Sequence, residues 1–511
     1  MATTYLSPGV YVEEVDRGTK PIEALGTSLT AFIGITAEAS RKGIDPATGR
    51  RVPLESRLNI PTLITSWTQF VDIFGDFTAT SYLPDCVYGY FANGGGPCYV
   101  TSLRALDEAS NAVKAAEVAI PARSKGNSFR IQAKQAGPAA NTLTVTIQAT
   151  GEDSFTLSVG GESKPGLTMK RGENFVGEAV FDTVSILDAA GAAALPVEGS
   201  YALSGGGVEP LTAADFIGDP GLRTGLGGLE ALDDLRLIVC PDVLVGYDGS
   251  PEAKERVKMV QTAMIAHCER SRYRFAILDT PPGLNPQQAQ EWRNYVNFDS
   301  SYAAMYYPWI KVADLKGDGS ATKALPPSGY LAGLYNRTDG NRGVHKAPAN
   351  DVLLGAIDLE YKVSKGEQDV LNPKGVNCIR AFTGRGIRVW GARTLSSNGA
   401  WRYINVRRLF IMVEASLDAG MQWVVFEPND HNLWAMVRRD SKAFLKTIWL
   451  SGALFGGTPE EAFYVKCDEE LNPPEIRDLG QLIIEIGLAP VKPAEFVIFR
   501  LTQWAGANSE A

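Results

Sequence analysis

The first part of the chain alternates between short apolar runs and an amphipathic stretch. Residues 30–35 (TAFIGI) and 98–103 (CYVTSL) are apolar runs of strand length. Between them, Ser66 stands where a helix N-cap is expected, ahead of a helix that we predict to run through Phe74. Alternation of strand and helix predicts an α/β layer.

The pattern changes between about residues 105 and 209, where Ala, Gly and Ser become frequent. Apolar residues occupy every second position at Leu143, Val145 and Ile147, and the same spacing recurs at residues 155–159. A period of two places alternate side chains on one face of a strand. We therefore predict a β-rich domain inserted at this point.

The α/β pattern resumes after this insertion. Residues 235–240, 275–279 and 302–307 read as strands, and helical patterns separate them. Strand, helix and strand at this spacing predict a parallel sheet with right-handed crossovers. The helical patterns contain Val257, Val260, Met264, Trp292 and Tyr295.

A third section follows Gly384. It predicts helices near residues 404–423 and 431–450, then strand-like runs at residues 463–465, 482–486 and 495–501. Helical spacing predicts one buried face on the first helix. That face consists of Val406, Leu409, Phe410, Val413 and Leu417.

The first 28 residues read as an extended arm. Proline and glycine recur there around one alternating stretch, VYVEEV at residues 10–15, which predicts a short strand. We divide the chain into an N-terminal linking arm (1–28), a discontinuous α/β middle domain (29–104 and 210–380), the β-rich insertion (105–209) and a C-terminal α/β assembly domain (381–511).

Composition narrows the function. A chain of 511 residues exceeds one core, because single cores stop growing near about 250 to 300 residues. Its net charge of −9 argues against direct nucleic-acid binding. No apolar run reaches the length of a membrane span, and no leader pattern precedes residue 10, so we expect cytoplasmic synthesis and assembly without membrane insertion.

A search for catalytic chemistry finds few candidates. The sequence contains no GxxxxGK[ST], GxSxG or HExxH motif, and its six cysteines include no CxxC pair. We expect reduced, mostly buried thiols, and no cofactor or metal. The isolated His267, His345 and His431 favour structural or surface roles over ligation. Gly94–Gly96 precede a strand, which favours a tight turn over a dinucleotide site.

Asp279 is the exception that keeps an enzyme under consideration. It ends a predicted parallel strand, where open α/β sheets often bind ligands. The alternative is a structural role, in which its carboxylate caps or bonds the turn that Pro281 and Pro282 impose. The structural role is favoured.

An ordered series of segments resembles the sheath proteins of contractile phage tails and of phage-tail-like injection systems. The resemblance begins with SPGVYVEEV at residues 7–15 and extends over nearly the whole chain, most weakly between residues 105 and 209. Further matching segments are residues 70–75, NGG at 93–95, RTGL at 223–226 with Glu230, DTP at 279–281, PSGYLAG at 327–333, RTD at 337–339 through KAPAN at 346–350, GART at 391–394, YINVRRL at 403–409 and FEPN at 426–429.

The resemblance implies a non-enzymatic subunit that polymerises into a helical sleeve around an inner tube and contracts. It implies partners at the baseplate and at the terminal cap, and an outward-facing inserted domain. It also implies terminal strands that add to neighbouring subunits. The residues that we expect to exchange are Val10, Tyr11, Val12, Glu13, Val15, Phe496, Val497, Ile498, Phe499 and Leu501.

The helix predicted at residues 431–450 carries Arg438, Lys442 and Lys446 at successive i+4 steps, with Val437, Phe444 and Ile448 on another face. Such a basic stripe is either a solvated face or, as the resemblance implies, a surface facing an acidic tube. Two other interpretations of the whole chain stay open. One is a baseplate or cap component of the same machine, and the other is an α/β hydrolase-like enzyme.

Overall fold

The computed structural model describes residues 22–44, 51–106, 113–134, 138–189, 194–208, 211–316 and 321–500. The helices in these ranges are α1 Trp67–Phe74, α2 Leu83–Ala92, α3 Ala213–Ile217, α4 Pro251–Ser271, α5 Pro286–Val296, α6 Ser328–Arg342, α7 Lys365–Leu371, α8 Ile404–Gly420, α9 His431–Leu450, α10 Pro459–Ala462 and α11 Pro474–Asp478.

The strands up to the end of the insertion are β1 Thr30–Thr36, β2 Ser40–Ile44, β3 Arg51–Ser56, β4 Thr62–Ile64, β5 Cys98–Ala105, β6 Val113–Lys114, β7 Glu117–Pro121, β8 Asn127–Ala133, β9 Thr144–Ala149, β10 Ser154–Val159, β11 Glu162–Thr168, β12 Val184–Leu187, β13 Gly199–Ala202 and β14 Gly207–Val208. Those that follow are β15 Leu237–Val239, β16 Phe275–Asp279, β17 Ala303–Tyr307, β18 Ile310–Ala313, β19 Thr322–Leu325, β20 Asp358–Leu359, β21 Val376–Phe382, β22 Gly386–Val389, β23 Phe463–Lys466 and β24 Glu485–Leu488.

The largest element is an eight-stranded sheet with the order β22-β21-β17-β16-β15-β1-β5-β4. Its six inner strands are parallel, and the edge strands β4 and β22 are antiparallel. The predicted parallel arrangement of β15, β16 and β17 is thereby confirmed. Every residue of β16 and β17 is buried. Continuous apolar strands of this kind occur where both faces of a sheet are covered.

Helices cover both faces of this sheet and give it two cores. On one face, α4 contributes Val257 and Met264, and α5 contributes Trp292. On the other face, α1, α2 and α6 pack through residues such as Phe74 and Tyr335. The predicted cap of α1 is confirmed, because the Ser66 side chain accepts a hydrogen bond from the Gln69 amide.

The β-rich region forms separate small sheets around a third core. Four strands pair in the order β11-β10-β9-β13, and three in the order β12-β8-β7. The predicted alternation is confirmed at Val145, Ile147, Phe155, Leu157 and Val159, which are all buried, whereas Leu143 precedes β9 and is only partly buried. The boundaries of the predicted domains stay predictions.

Helix α8 differs from its prediction. Its apolar residues Leu409 and Val413 are buried, but Phe410 and Leu417 are only partly so, while the charged Arg407 and Arg408 are buried. The predicted face is buried at Val406, Leu409 and Val413, but burial extends beyond it because α8 lies between two cores. Ile404 and Ile411 join the core of the large sheet, and Leu409, Met412 and Val413 join a core shared with α9.

The predicted strand at residues 482–486 is displaced. The strand observed is β24, which begins at Glu485 and pairs with β23. The side-chain amide of Asn472 explains the shift, because it accepts a hydrogen bond from the Ile483 amide and donates one to the Ile483 carbonyl. These backbone groups are thereby removed from the ladder.

Two buried carboxylates close the carboxyl edge of the large sheet. Asp242, in the short turn that follows β15, accepts hydrogen bonds from the amides of Ile35, Tyr82 and Leu83 and from the Ser81 hydroxyl at 2.6–3.1 Å. Burial raises the pKa of Asp242 to about 6, against the lowering effect of these bonds. A Cβ atom at Gly34 would lie 2.4 Å from its Oδ2, so glycine is required there.

The second carboxylate, Asp279, has a structural partner other than the predicted one. Its Oδ1 accepts a hydrogen bond of 2.9 Å from the amide of Ser328, the first residue of α6. The prediction of a bond within the turn at Pro281 and Pro282 was therefore wrong in its partner. Burial raises the pKa of Asp279 to about 7.

The raised pKa of Asp279 predicts a pH-dependent stability. The folded protein binds this proton more tightly than the unfolded chain, whose carboxyl pKa is about 4, so the group lowers stability as pH rises from about 4 to about 7. In Asp279→Asn the group no longer titrates. We expect the melting temperature of the variant, minus that of wild type, to increase with pH across this window.

The same series with Asp369→Asn, at an exposed carboxylate, is the control for the loss of one carboxylate charge. Thermal unfolding at several pH values measures both. A pH-independent difference for Asp279→Asn would contradict the assignment.

Candidate interface at the roots of the two terminal segments

The apolar residues near the C-terminus are exposed. Phe496, Val497, Ile498 and Phe499 have exposed fractions of 72%, 70%, 79% and 84%. No strand is assigned to residues 491–500, so the predicted strand at 495–501 does not form within the chain over its described part. We call residues 496–499 the terminal apolar run. The expected exchange residues Val10 to Val15 and Leu501 lie outside the described residues.

The terminal apolar run starts immediately after an anchored residue, Glu495. Arg393 donates from Nε to Oε1 and from Nη2 to Oε2 of Glu495, both at 2.8 Å. The Asn372 amide donates to Oε1 at 2.7 Å, and the Tyr403 hydroxyl donates to Oε2 at 3.0 Å. We call these four residues the Glu495 cluster. Burial alone would raise the pKa of Glu495, but the hydrogen bonds and the charge of Arg393 together lower it.

At the other end of the described chain, the N-terminal segment 22–29 packs against α8. Ile22 is buried against Gly420, where a Cβ atom would come within 2.8 Å of its side chain. The Leu25 amide donates to the Ser416 hydroxyl at 3.0 Å. This contact and the apolar packing fix the segment along the second half of the helix.

A buried ion pair holds the next residues of the segment. Arg408 donates to both carboxylate oxygens of Asp339 at 2.9 and 2.6 Å, and their side chains are only 3% and 6% exposed. Arg408 also donates to the Thr27 carbonyl at 3.0 Å, and the Thr27 hydroxyl donates to Asp339. Bidentate, charge-assisted bonds of this kind fix orientation as well as distance. The N-terminal segment is therefore joined to both α6 and α8.

A small sheet near these segments has an open edge. Strands β23 and β24 pair only with each other among the described strands, with Phe463 opposite Leu488 and Lys466 opposite Glu485. Directly beyond β24, the chain is bonded to residues 453–455, because the Phe455 amide donates to the Ala489 carbonyl. The edge of β23 that faces away from β24 has no strand partner among the described strands, and another strand can add there.

The three residues of the predicted basic stripe on α9 differ in their exposure to solvent. Val437, Phe444 and Ile448 are buried, as the helical spacing predicts. Arg438 is half-buried and donates a hydrogen bond to the Cys467 carbonyl, whereas Lys442 and Lys446 are exposed. The two lysines form the part of the stripe that a partner can reach.

At the expected ligand edge of the large sheet, Asp279 has a structural partner. Asp279 is buried and bonded to α6, and Asp242 fills the position where the chain changes direction between β1 and β15. A cavity of about 620 Å³ lies between α4 and α5, beside the loops that follow β15 and β16, and its lining includes Tyr247, Pro282 and Trp292 but neither aspartate. The protein thus places its own carboxylates where a doubly wound fold usually binds a ligand.

The isolated histidines and cysteines also have ordinary surroundings. His267 is buried beside Arg274, and burial with the nearby Arg charges lowers its pKa to about 3. All six cysteines are free and buried. No cluster suited to a metal ion occurs in the described parts of the chain. Within those same parts, no helix is both long and apolar enough to cross a bilayer.

The sequence reasoning missed most of the anchoring residues. Arg393, Tyr403 and Arg408 lie in segments that support the family resemblance, but no role was assigned to them. A usable signal was present at Arg407 and Arg408, since two cations within an otherwise apolar helix pattern imply buried, paired charges. Asn372 gave no signal, because its partner lies 123 residues away.

Comparisons with known proteins agree on one family. Residues 228–395 match the model of the phage tail sheath protein central domain, and residues 396–503 match that of the phage tail sheath C-terminal domain. The tail sheath protein of Burkholderia phage BcepMu is 26% identical over 100% of this chain and 98% of its own.

Solved structures show the same fold. A chain of the anti-feeding prophage helical sheath in its contracted state has a TM-score of 0.59, with 25% identity over 98% of this chain and 100% of its own. A chain of the six-fold symmetrised anti-feeding prophage baseplate has a TM-score of 0.58, with 26% identity over 98% and 99%. The multidomain α/β fold with its β-rich insertion is therefore the sheath fold, and this chain belongs to the phage tail sheath protein family.

Proposed function

We propose that this chain is a structural, non-enzymatic subunit of a contractile sheath, which polymerises helically around an inner tube and contracts to drive that tube through a target envelope. Family membership supports the general role. The observation that carries the mechanism is the terminal apolar run, which is exposed directly beyond an anchored residue.

The terminal apolar run is suited to donation to a neighbouring subunit. Four consecutive large apolar side chains left in water are unfavourable, and burial of each contributes roughly 1.5–3 kcal/mol. Val, Ile and Phe favour strands, and strand addition provides main-chain hydrogen bonds as well as burial. We take residues 496–501 of one subunit as a strand added to the sheet of another.

The β23–β24 pair supports a matching acceptor site. One edge of β23 has no strand partner among the described strands, and each subunit has two terminal segments to donate, residues 10–15 and 496–501. Donation in both directions makes each contact heterologous, so that one patch meets a different patch on the next copy. Such contacts repeat without closing and generate a helical sleeve.

Helix α9 is the proposed contact with the inner tube. Lys442 and Lys446 are exposed on one face, while Arg438 is bonded to the Cys467 carbonyl and contributes less. Exposed charges attract an acidic surface through water and are screened by salt, so the contact is weak and releasable. A sheath that slides relative to its tube requires such a contact.

Contraction in this proposal uses stored assembly energy. An extended lattice that buries less interface than the contracted one is held by a kinetic barrier, and rearrangement of rigid subunits releases the difference. Linked terminal strands keep neighbours joined while the subunits rotate. Assembly would take place in the cytoplasm, with baseplate and cap proteins at the two ends of the sleeve.

Strand donation predicts that proline will block assembly. In Val497→Pro/Ile498→Pro the terminal apolar run loses two backbone donors, whereas Val497→Ala/Ile498→Ala retains them. We expect the proline variant to remain a folded subunit that forms no sleeves, because these residues are exposed within the subunit. The alanine variant should form fewer sleeves.

Negative-stain electron microscopy and sedimentation, with tube protein present, measure this outcome. Deletion of residues 1–15 is expected to act like the proline variant. Sleeves of wild-type length from the proline variant would rule out C-terminal strand donation.

The proposed tube contact predicts a charge effect. Lys442→Glu/Lys446→Glu should reduce co-sedimentation with extended tube at low salt, and this difference from wild type should shrink as salt is raised. Lys125→Glu/Lys365→Glu changes the net charge equally at two other exposed positions and is the control. Equal co-sedimentation of the two variants would argue against α9 as the tube-facing surface.

A further inference from the structure

The exposure of the chain changes sharply at Glu495. Its side chain is 18% exposed, and the next residue, Phe496, is 72% exposed. Glu495 is therefore the last anchored residue before the terminal apolar run.

The Glu495 cluster joins three separate parts of the fold. Asn372 directly follows α7, Arg393 lies beyond β22, and Tyr403 directly precedes α8. The two parallel bonds from Arg393 fix the plane of the carboxylate, and the bonds from Asn372 and Tyr403 fix its rotation. A single bond would tether Glu495, but this set also orients it.

The chain just before Glu495 has a second attachment. The Asn405 side-chain amide donates to the Val491 carbonyl at 3.1 Å and to the His345 carbonyl at 2.8 Å. Two attachments four residues apart define a direction for the chain as well as a position. Tyr403 and Asn405 lie at the start of α8, the helix whose Arg408 and Ser416 bind the N-terminal segment.

We infer that the Glu495 cluster is a positioning element that sets the direction in which the C-terminal strand leaves the subunit, relative to the N-terminal segment held on the same helix. This inference rests on the proposed function. In a helical sleeve the same rotation and translation relate each subunit to the next. If the chain at the start of the linking strand can change direction, this rotation and translation vary between subunits. The Glu495 cluster therefore determines how regular the lattice is, whereas the terminal apolar run determines whether the lattice forms.

Substitutions that disrupt the cluster but retain the terminal apolar run test this inference. Glu495→Gln removes the charge, and Arg393→Lys keeps the charge but loses the paired bonds. We expect both variants to form sleeves whose diffraction loses its higher-order layer lines and whose contraction is incomplete. Arg130→Lys, at an exposed ion pair with Asp188 in the β-rich region, is the control and should leave the layer lines unchanged.

The reversed pair Arg393→Glu/Glu495→Arg distinguishes a positioning role from a general loss of stability. If the single reversals only destabilised the subunit, combining them would not restore the layer lines. Asn372 Oδ1 is buried without a hydrogen-bond partner and can accept from an arginine at position 495. We expect the reversed pair to regain layer lines that either single reversal lacks. Melting temperatures of the free subunits identify any variant that fails to fold.

The outcomes separate this inference from the proposed function. Regular, fully contracting sleeves from both single variants would overturn the positioning role and leave strand donation intact. Folded single variants that form no sleeves would also overturn it, because the cluster would then be needed for assembly itself. Strand donation itself is tested separately by the proline variant of the terminal apolar run. Sleeves formed by that variant would contradict strand donation.

Discussion

The structure depends on the buried ion pair between Arg408 and Asp339. A charge pair at 3% and 6% exposure is stable only when its hydrogen bonds are satisfied, and removal of one partner from such a pair typically costs about 3–5 kcal/mol. Thr27 supplies both an acceptor and a donor to the pair. The N-terminal segment therefore helps to satisfy the hydrogen bonds of the buried charges. These bonds join α6, α8 and the N-terminal segment to one another.

Helix α8 connects this ion pair to the other parts of the molecule. Its N-terminal half packs against the large sheet, and its apolar residues Leu409 and Val413 pack against α9. The neighbouring cation on this helix, Arg407, is also buried, and its guanidinium group stacks on the rings of Trp401 and Tyr302. The helix therefore contacts the core of the large sheet, the core shared with α9 and the N-terminal segment, and Asn405 near its start bonds the chain just before Glu495.

The large sheet shows how a ligand-binding architecture can serve a structural role. Asp242 and Asp279 occupy backbone amides at the starts of α2 and α6, which in other doubly wound folds receive a bound anion. Their burial costs free energy, as the raised pKa values of both groups show. These bonds connect the strands and helices at this edge directly.

The sequence by itself determined the parallel strands, the cap at Ser66, the period-two strands of the insertion and the family, because these depend on local patterns or on motifs in a fixed order. Local patterns also indicated a strand at residues 495–501, and in one subunit they were misleading, since no strand edge in the described parts of the chain pairs with residues 495–500. Only the tertiary structure decided that Glu495 is anchored by Arg393 and Asn372, that Arg408 is buried against Asp339, and that Asp279 bonds Ser328. The physical reason is that these bonds join residues 49 to 123 positions apart, and their geometry depends on how sheets and helices pack rather than on the pattern around any one residue.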